Sequence, residues 1–150
     1  MYTIEEFDEQ KTKVLKYVLY KKRTEREIKT KFKATIEENM LEDIINELKE
    51  NNYISDENYI KRAVDEFVSL KNLSIKEIKY KLISKGIASR LADEYVEENF
   101  EELQEYEKKS AENIVIKKSV NMNEIEIKQY LMKKGYSQEN INTAMEKIEE

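Results

Sequence analysis

Four cations, Arg23, Arg26, Lys29 and Lys33, follow one another at intervals of three and four residues, a spacing that lines one face of a helix. Two further sets share their character: Lys79, Lys81 and Lys85, then Lys128, Lys133 and Lys134, with Arg62 upstream of the second set. The chemistry open to such ridges is noncovalent. They attract phosphates or carboxylates, Arg through a bidentate fork and Lys as a point charge. Covalent chemistry has little to work with. The 150 residues include no histidine and no cysteine, which removes the usual general base, the commonest transition-metal ligand and every disulfide. There is no glycine-rich phosphate loop and no nucleophile elbow. Asp and Glu are plentiful, but almost all fall on expected solvent faces, with no cleft to raise a pKa. The residue types therefore point to a binding protein without catalytic residues, metal or cofactor.

A phrase written three times positions these cations. EIKTKF at 27–32 returns as EIKYKL at 77–82 and as EIKQYL at 126–131, and a period of about fifty residues signals a tandem-repeat fold. Each copy opens with a capping box: Thr24 with Glu27, Ser74 with Glu77, and the weaker Asn123 with Glu126. A helix of about three turns follows, with apolar pairs four apart at Ile28 and Phe32, Ile78 and Leu82, and Ile127 and Leu131. Gly86 and Gly135 can take the left-handed conformation that ends a helix. The first copy has no glycine there, so KATI at 33–36 must turn differently. Another helix then carries Leu41, Ile44, Ile45 and Leu48; or Leu91, Tyr95 and Val96; or Ile141, Ala144, Met145 and Ile148.

A further helix precedes each pair, over about 11–22, 56–71 and 103–117. In the middle one Tyr59, Ala63, Phe67 and Leu70 mark the inner face and Ser55 or Asp56 the cap. Residues 2–9 form a short leading helix capped by Thr3. With no proline and only two glycines, the fold class is all-α. The expected architecture is three tandem three-helix, helix-turn-helix-like repeats at 1–53, 54–101 and 102–150. Each unit is too small to stand comfortably alone, so the repeats should stack into an elongated, curved rod.

Charged residues make up 39% of the chain, and their signs alternate along it. Residues 11–33 hold ten Lys or Arg against two Glu, whereas 37–58 hold eight acidic residues against Lys49 alone. Residues 61–90 hold eight basic and three acidic residues; 93–112 hold nine acidic and two basic. The net charge of −5 conceals this alternation. Positive ridges suit an anionic partner, and acidic ridges suit solvent or a basic surface. Solvated helix faces account for the same runs without any partner. Of the ten Tyr, Tyr59, Tyr95 and Tyr136 fall on core stripes, while Tyr80 and Tyr130 lie nearer the surface. No apolar run approaches the ~20 residues of a membrane span. MYTIEEFDEQ also lacks the basic-then-apolar order of a signal peptide, so a soluble cytoplasmic protein is expected.

The segment NYISDENYIKRAVDEF, followed by IKEIKYKLISKGI, resembles the central signature of the RecX family of recombination regulators. The matching positions are Asp56, Tyr59, Ala63, Ile78, Lys85, Gly86 and Ile87, and the likeness extends over residues 11–149. The resemblance implies a monomeric modulator of RecA that lies along the groove of the RecA–DNA filament. Such a protein curbs ATP hydrolysis, strand exchange and coprotease action. From the residues themselves, direct DNA binding is expected to be weak and non-specific. The candidate filament contacts follow from the basic ridges: Arg23, Arg26, Lys29, Lys33, Lys79, Lys81, Lys85, Lys128, Lys133 and Lys134, with Arg62 of the signature helix as a further candidate. The chain departs from the family pattern in SLKNLSIKE, which has neither Gly nor Pro, and in having four arginines. Two other readings are a helix-turn-helix DNA-binding protein and a helical-repeat scaffold for another protein. Against the first, Ile75, Lys76 and Glu77 stand where base readout favours Arg, Asn or Gln.

Overall fold

The computed structural model describes residues 2–149, with side chains described through residue 147. Regular structure among the described residues is entirely helical: α1 (Ile4–Tyr20), α2 (Glu25–Phe32), α3 (Glu38–Glu50), α4 (Asp56–Leu70), α5 (Ile75–Ser84), α6 (Ser89–Glu98), α7 (Phe100–Lys118), α8 (Glu124–Lys134) and α9 (Gln138–Glu149). The all-α expectation holds. The expected leading helix does not stand apart. Thr3 accepts from the Glu6 amide at 3.1 Å, but nothing in IEEFDEQKTKVLKYVLY breaks the helix, and α1 runs through to Tyr20. Likewise α7 starts at Phe100, ahead of the expected 103.

Contacts group the chain into two units, Met1–Ile60 with Lys85–Ile87, and Lys61–Ser84 with Ala88–Glu150. In the first unit, Val14 and Val18 of α1 meet Ile28 and Phe32 of α2 and the Leu41, Ile44, Ile45, Leu48 stripe of α3. The Tyr17 ring meets Phe32 edge-on at 5.5 Å. The turn at KATI needs no left-handed residue. The Phe32 carbonyl accepts from the Thr35 and Ile36 amides at 3.1 and 2.9 Å, Ile36 is buried, and the Glu37 carboxylate caps α3 through the Asn39 and Met40 amides.

In the second unit, Ala111, Ile114 and Val115 of α7 pack with Ile127 and Leu131 of α8, Tyr136, and Ile141, Ala144 and Met145 of α9. Ile148 lies outside the residues with described side chains. Two stripes differ from the sequence reading. On α4, Ile60 and Val64 are buried, Ala63 and Phe67 are half-buried, and Leu70 is exposed. The inward line is thus displaced toward Ile60 and Val64. On α6, Ala92 is fully buried while Leu91, Tyr95 and Val96 are half-buried. The smallest side chain takes the closest approach.

The capping boxes do more than start helices. Ser74 accepts from the Glu77 amide at 3.1 Å, and Glu77 accepts from the Ser74 amide at 2.9 Å. The Ser74 hydroxyl also donates to the Lys134 carbonyl at 2.6 Å, so one cap satisfies an otherwise orphaned carbonyl at the end of α8. In the first unit the Thr24 hydroxyl likewise accepts from Glu27 and donates to the Lys85 carbonyl at 2.6 Å. Asn123 is exposed, and its box stands without a comparable bond among the described residues. Because Ser74 is fully buried, Ser74→Ala should cost about 2 kcal/mol, a lost cap plus an unpaired carbonyl. Urea denaturation against the parent checks this; Asn123→Ala should cost about half as much.

Candidate partner-binding surface

A carboxylate completes each buried cap. Asp56 Oδ1 accepts from the Glu25 amide at 3.0 Å, at the first position of α2. Glu107, at 2% exposure, faces the Ile75 amide at the first position of α5. Its two oxygens also accept from the Ser137 amide and the Asn140 side-chain amide, each at 3.2 Å. Burial raises the pKa of both Asp56 and Glu107, and their hydrogen bonds offset this only in part. The start of α2 is thus held by Asp56, the Lys85 carbonyl and Gly86. In the second unit Glu107, the Lys134 carbonyl and Gly135 hold the start of α5.

These joints aim the basic ridge of α2. Arg26, Lys29 and Lys33, together with Thr30, line a groove of about 450 Å³ whose other side is Glu38, Leu41 and Glu42 of α3. Glu25 bonds Lys49 at 2.9 Å and Lys29 at 3.4 Å. Burial alone would raise the Glu25 pKa, but these two cations hold it below the ordinary value.

The other expected contact residues divide into held and exposed. Arg23 lays its guanidinium 4.1 Å from the centre of the Tyr17 ring, with Nε buried and unpartnered. Lys79 pairs with Asp93 at 2.5 Å. Lys134 pairs with Glu77 at 3.2 Å. Arg62, Lys85, Lys128 and Lys133 are exposed. Lys79 and Lys81 do not share a face, because two residues turn a helix by about 200°. Lys81 is directed to the Phe67 ring at 5.9 Å.

That last contact belongs to a series the sequence reading missed. The fifth position of the repeated phrase is Lys31, Lys81 or Tyr130. Lys31 lies 5.8 Å from the Tyr17 ring, Lys81 5.9 Å from Phe67, and Tyr130 receives Lys118 at 4.9 Å. In the third copy the cation and the ring have changed places. Each such pair contributes about 0.5–1 kcal/mol at an exposed site. Glu38 and Glu42 were also missed as part of a site, although the acidic run at 37–58 contained them.

No protein-family model matches the chain. It is 30% identical over 139 residues to regulatory protein RecX of Staphylococcus carnosus, covering 90% of this chain and 52% of that one. Regulatory protein RecX of Streptococcus agalactiae serotype V is 28% identical over 138 residues, with 90% and 54% covered. The chain thus resembles RecX regulatory proteins over nine-tenths of its length. It spans about half the length of the curated relatives it matches. The crystal structure of RecX from Lactobacillus salivarius superposes with a TM-score of 0.83 at 24% identity, over 98% of this chain and 99% of that one, a likeness of fold.

The RecX signature acquires a physical meaning here. Asp56, Lys85 and Gly86 are the residues that hold the start of α2, and Ile87 beside them is buried. Through these contacts they position the basic ridge of α2. Among the described residues no group of three or more carboxylates could hold a metal ion. No helix there is long and apolar enough to cross a membrane.

Proposed function

We propose that this chain is a RecX-family negative regulator of RecA recombinase that lies along the groove of the RecA–DNA filament. It restrains ATP hydrolysis, strand exchange and coprotease activity. Similarity to RecX regulatory proteins over nine-tenths of the chain carries this reading. In it the chain is a cytoplasmic monomer without catalytic residues, built of three-helix units at 1–53, 54–101 and 102–150. Repeated units suit a repeating polymer: linked weak contacts to successive identical subunits raise overall avidity without any single strong contact. Inhibition follows from preferring an inactive or dissociating filament state over the active one.

The exposed cations Arg26, Lys29, Lys33, Arg62, Lys81, Lys85, Lys128 and Lys133 carry the filament contacts, while Arg23, Lys79 and Lys134 support the ridges from within ion pairs and ring contacts. Single-stranded-DNA-dependent ATP hydrolysis by RecA of the same organism tests the proposal. The protein, added well below the RecA concentration, should inhibit hydrolysis, and Lys128→Glu with Lys133→Glu should weaken inhibition severalfold. Hydrolysis unaltered even at equal concentration would remove RecA as the partner.

A further inference from the structure

We infer that the groove between α2 and α3 receives a protein segment bearing charges of both signs, and that it does not receive a nucleic-acid backbone. The inference rests on the proposed RecA partnership and specifies which component of the filament this groove touches. Its two walls are of opposite charge: Arg26 and Lys29 on α2 with Lys33 at its C-cap, and Glu38 and Glu42 on α3. Among the described residues Arg26, Lys33, Glu38 and Glu42 have no ion-pair partner. Lys29 is only secondarily engaged, since Glu25 bonds Lys49 more closely.

Opposite charges that face each other across a void without pairing leave both walls available to a guest. A phosphate chain entering along the cations would meet Glu38 and Glu42 within the same void, well inside the ~8 Å screening length of physiological salt. A polypeptide has no such conflict. Carboxylates can meet the α2 wall, whose ends at Arg26 and Lys33 are two helical turns, about 10 Å, apart. A Lys or Arg can meet the α3 wall, and an apolar side chain can rest over Leu41. Charge complementarity of this kind selects among partners more than it adds affinity.

The test compares the parent with two exposed-site variants, Lys29→Glu/Lys33→Glu and Glu38→Lys/Glu42→Lys. Glu42→Lys alone serves as a third variant, because it leaves the first turn of α3 acidic. Each is titrated into RecA bound to oligo(dT), reading ATP hydrolysis, and separately into oligo(dT) alone, reading fluorescence anisotropy. Both double variants should raise the half-inhibitory concentration about tenfold, and Glu42→Lys should raise it severalfold. Inhibition by the acidic-wall variants as strong as the parent's, or stronger with tighter oligo(dT) binding, would overturn the inference and leave the RecA reading intact. A parent that fails to inhibit would overturn both.

Discussion

Gly86→Ala should lower the unfolding free energy by about 4 kcal/mol, combining backbone strain with overpacking. Two causes act together. Gly86 has φ of 108°, in the region that side-chain-bearing residues avoid. An added methyl carbon would also lie 2.7 Å from Arg26 Cβ and 2.9 Å from Thr24 Oγ1. Neither neighbour is the free end of a long side chain, so the backbone itself must move. The start of α2 would be displaced, along with the hydroxyl bond to the Lys85 carbonyl. Gly135 is the internal comparison. It has φ of 95°, but a methyl carbon there would meet Lys76 Cβ at 3.0 Å and Ser74 Oγ at 3.3 Å. Gly135→Ala should therefore cost about 2 kcal/mol, mainly conformational strain. Urea unfolding of the two variants and the parent decides the matter, provided the slope is unchanged. Equal losses would show that close approach at Gly86 contributes nothing beyond φ.

Glu107→Ala should cost about 3–5 kcal/mol, because it leaves the Ser137, Ile75 and Asn140 donors unpaired and opens a cavity. Glu107→Gln separates shape from charge. It keeps the volume and one acceptor. Inversion of the Asn140 amide would also let Asn140 Oδ1, buried without a partner in its present orientation, accept from the new amide. The loss should then be about 1 kcal/mol at neutral pH.

The two variants also differ from the parent in pH dependence. Burial raises the Glu107 pKa above its ordinary 4.5, so between 4.5 and the raised folded value the folded state holds more protons than the unfolded one. Stability then falls as pH rises through that window and is flat on either side of it. The difference in unfolding free energy, parent minus Glu107→Gln, should decline with rising pH from 4.5 upward. A difference that rose with pH would mean that the hydrogen bonds to Glu107 outweigh its desolvation. Asp56, with a pKa also raised chiefly by burial, remains in both proteins and cancels.

Both predictions concern residues that the sequence marks for one role and the structure uses for another. Gly86 was legible as a helix terminator, but its contact with Arg26 was not. Glu107 sat unremarked in an acidic run. Asp56 was legible as a candidate cap for its own helix, yet the cap there is Ser55, which accepts from the Asn58 amide, and Asp56 serves the start of α2 instead. The basic ridge at Arg26, Lys29 and Lys33 was readable from its spacing. That Lys79 is paired with Asp93 and Lys134 with Glu77 was not.

The division has one physical cause. Capping boxes, apolar spacing and glycine turns act over three or four residues, so the chain by itself determined the helices, their starts and much of the apolar core. The joints connect residues 30 to 61 positions apart. Which amide a carboxylate reaches, and which cations stay exposed, depends on how helices dock. Docking is set by the summed burial of many apolar side chains, and no local pattern encodes that sum. The opposed walls of the α2–α3 groove belong to the same class. Each wall was written in the sequence as a run of one sign, and only tertiary structure set the two face to face.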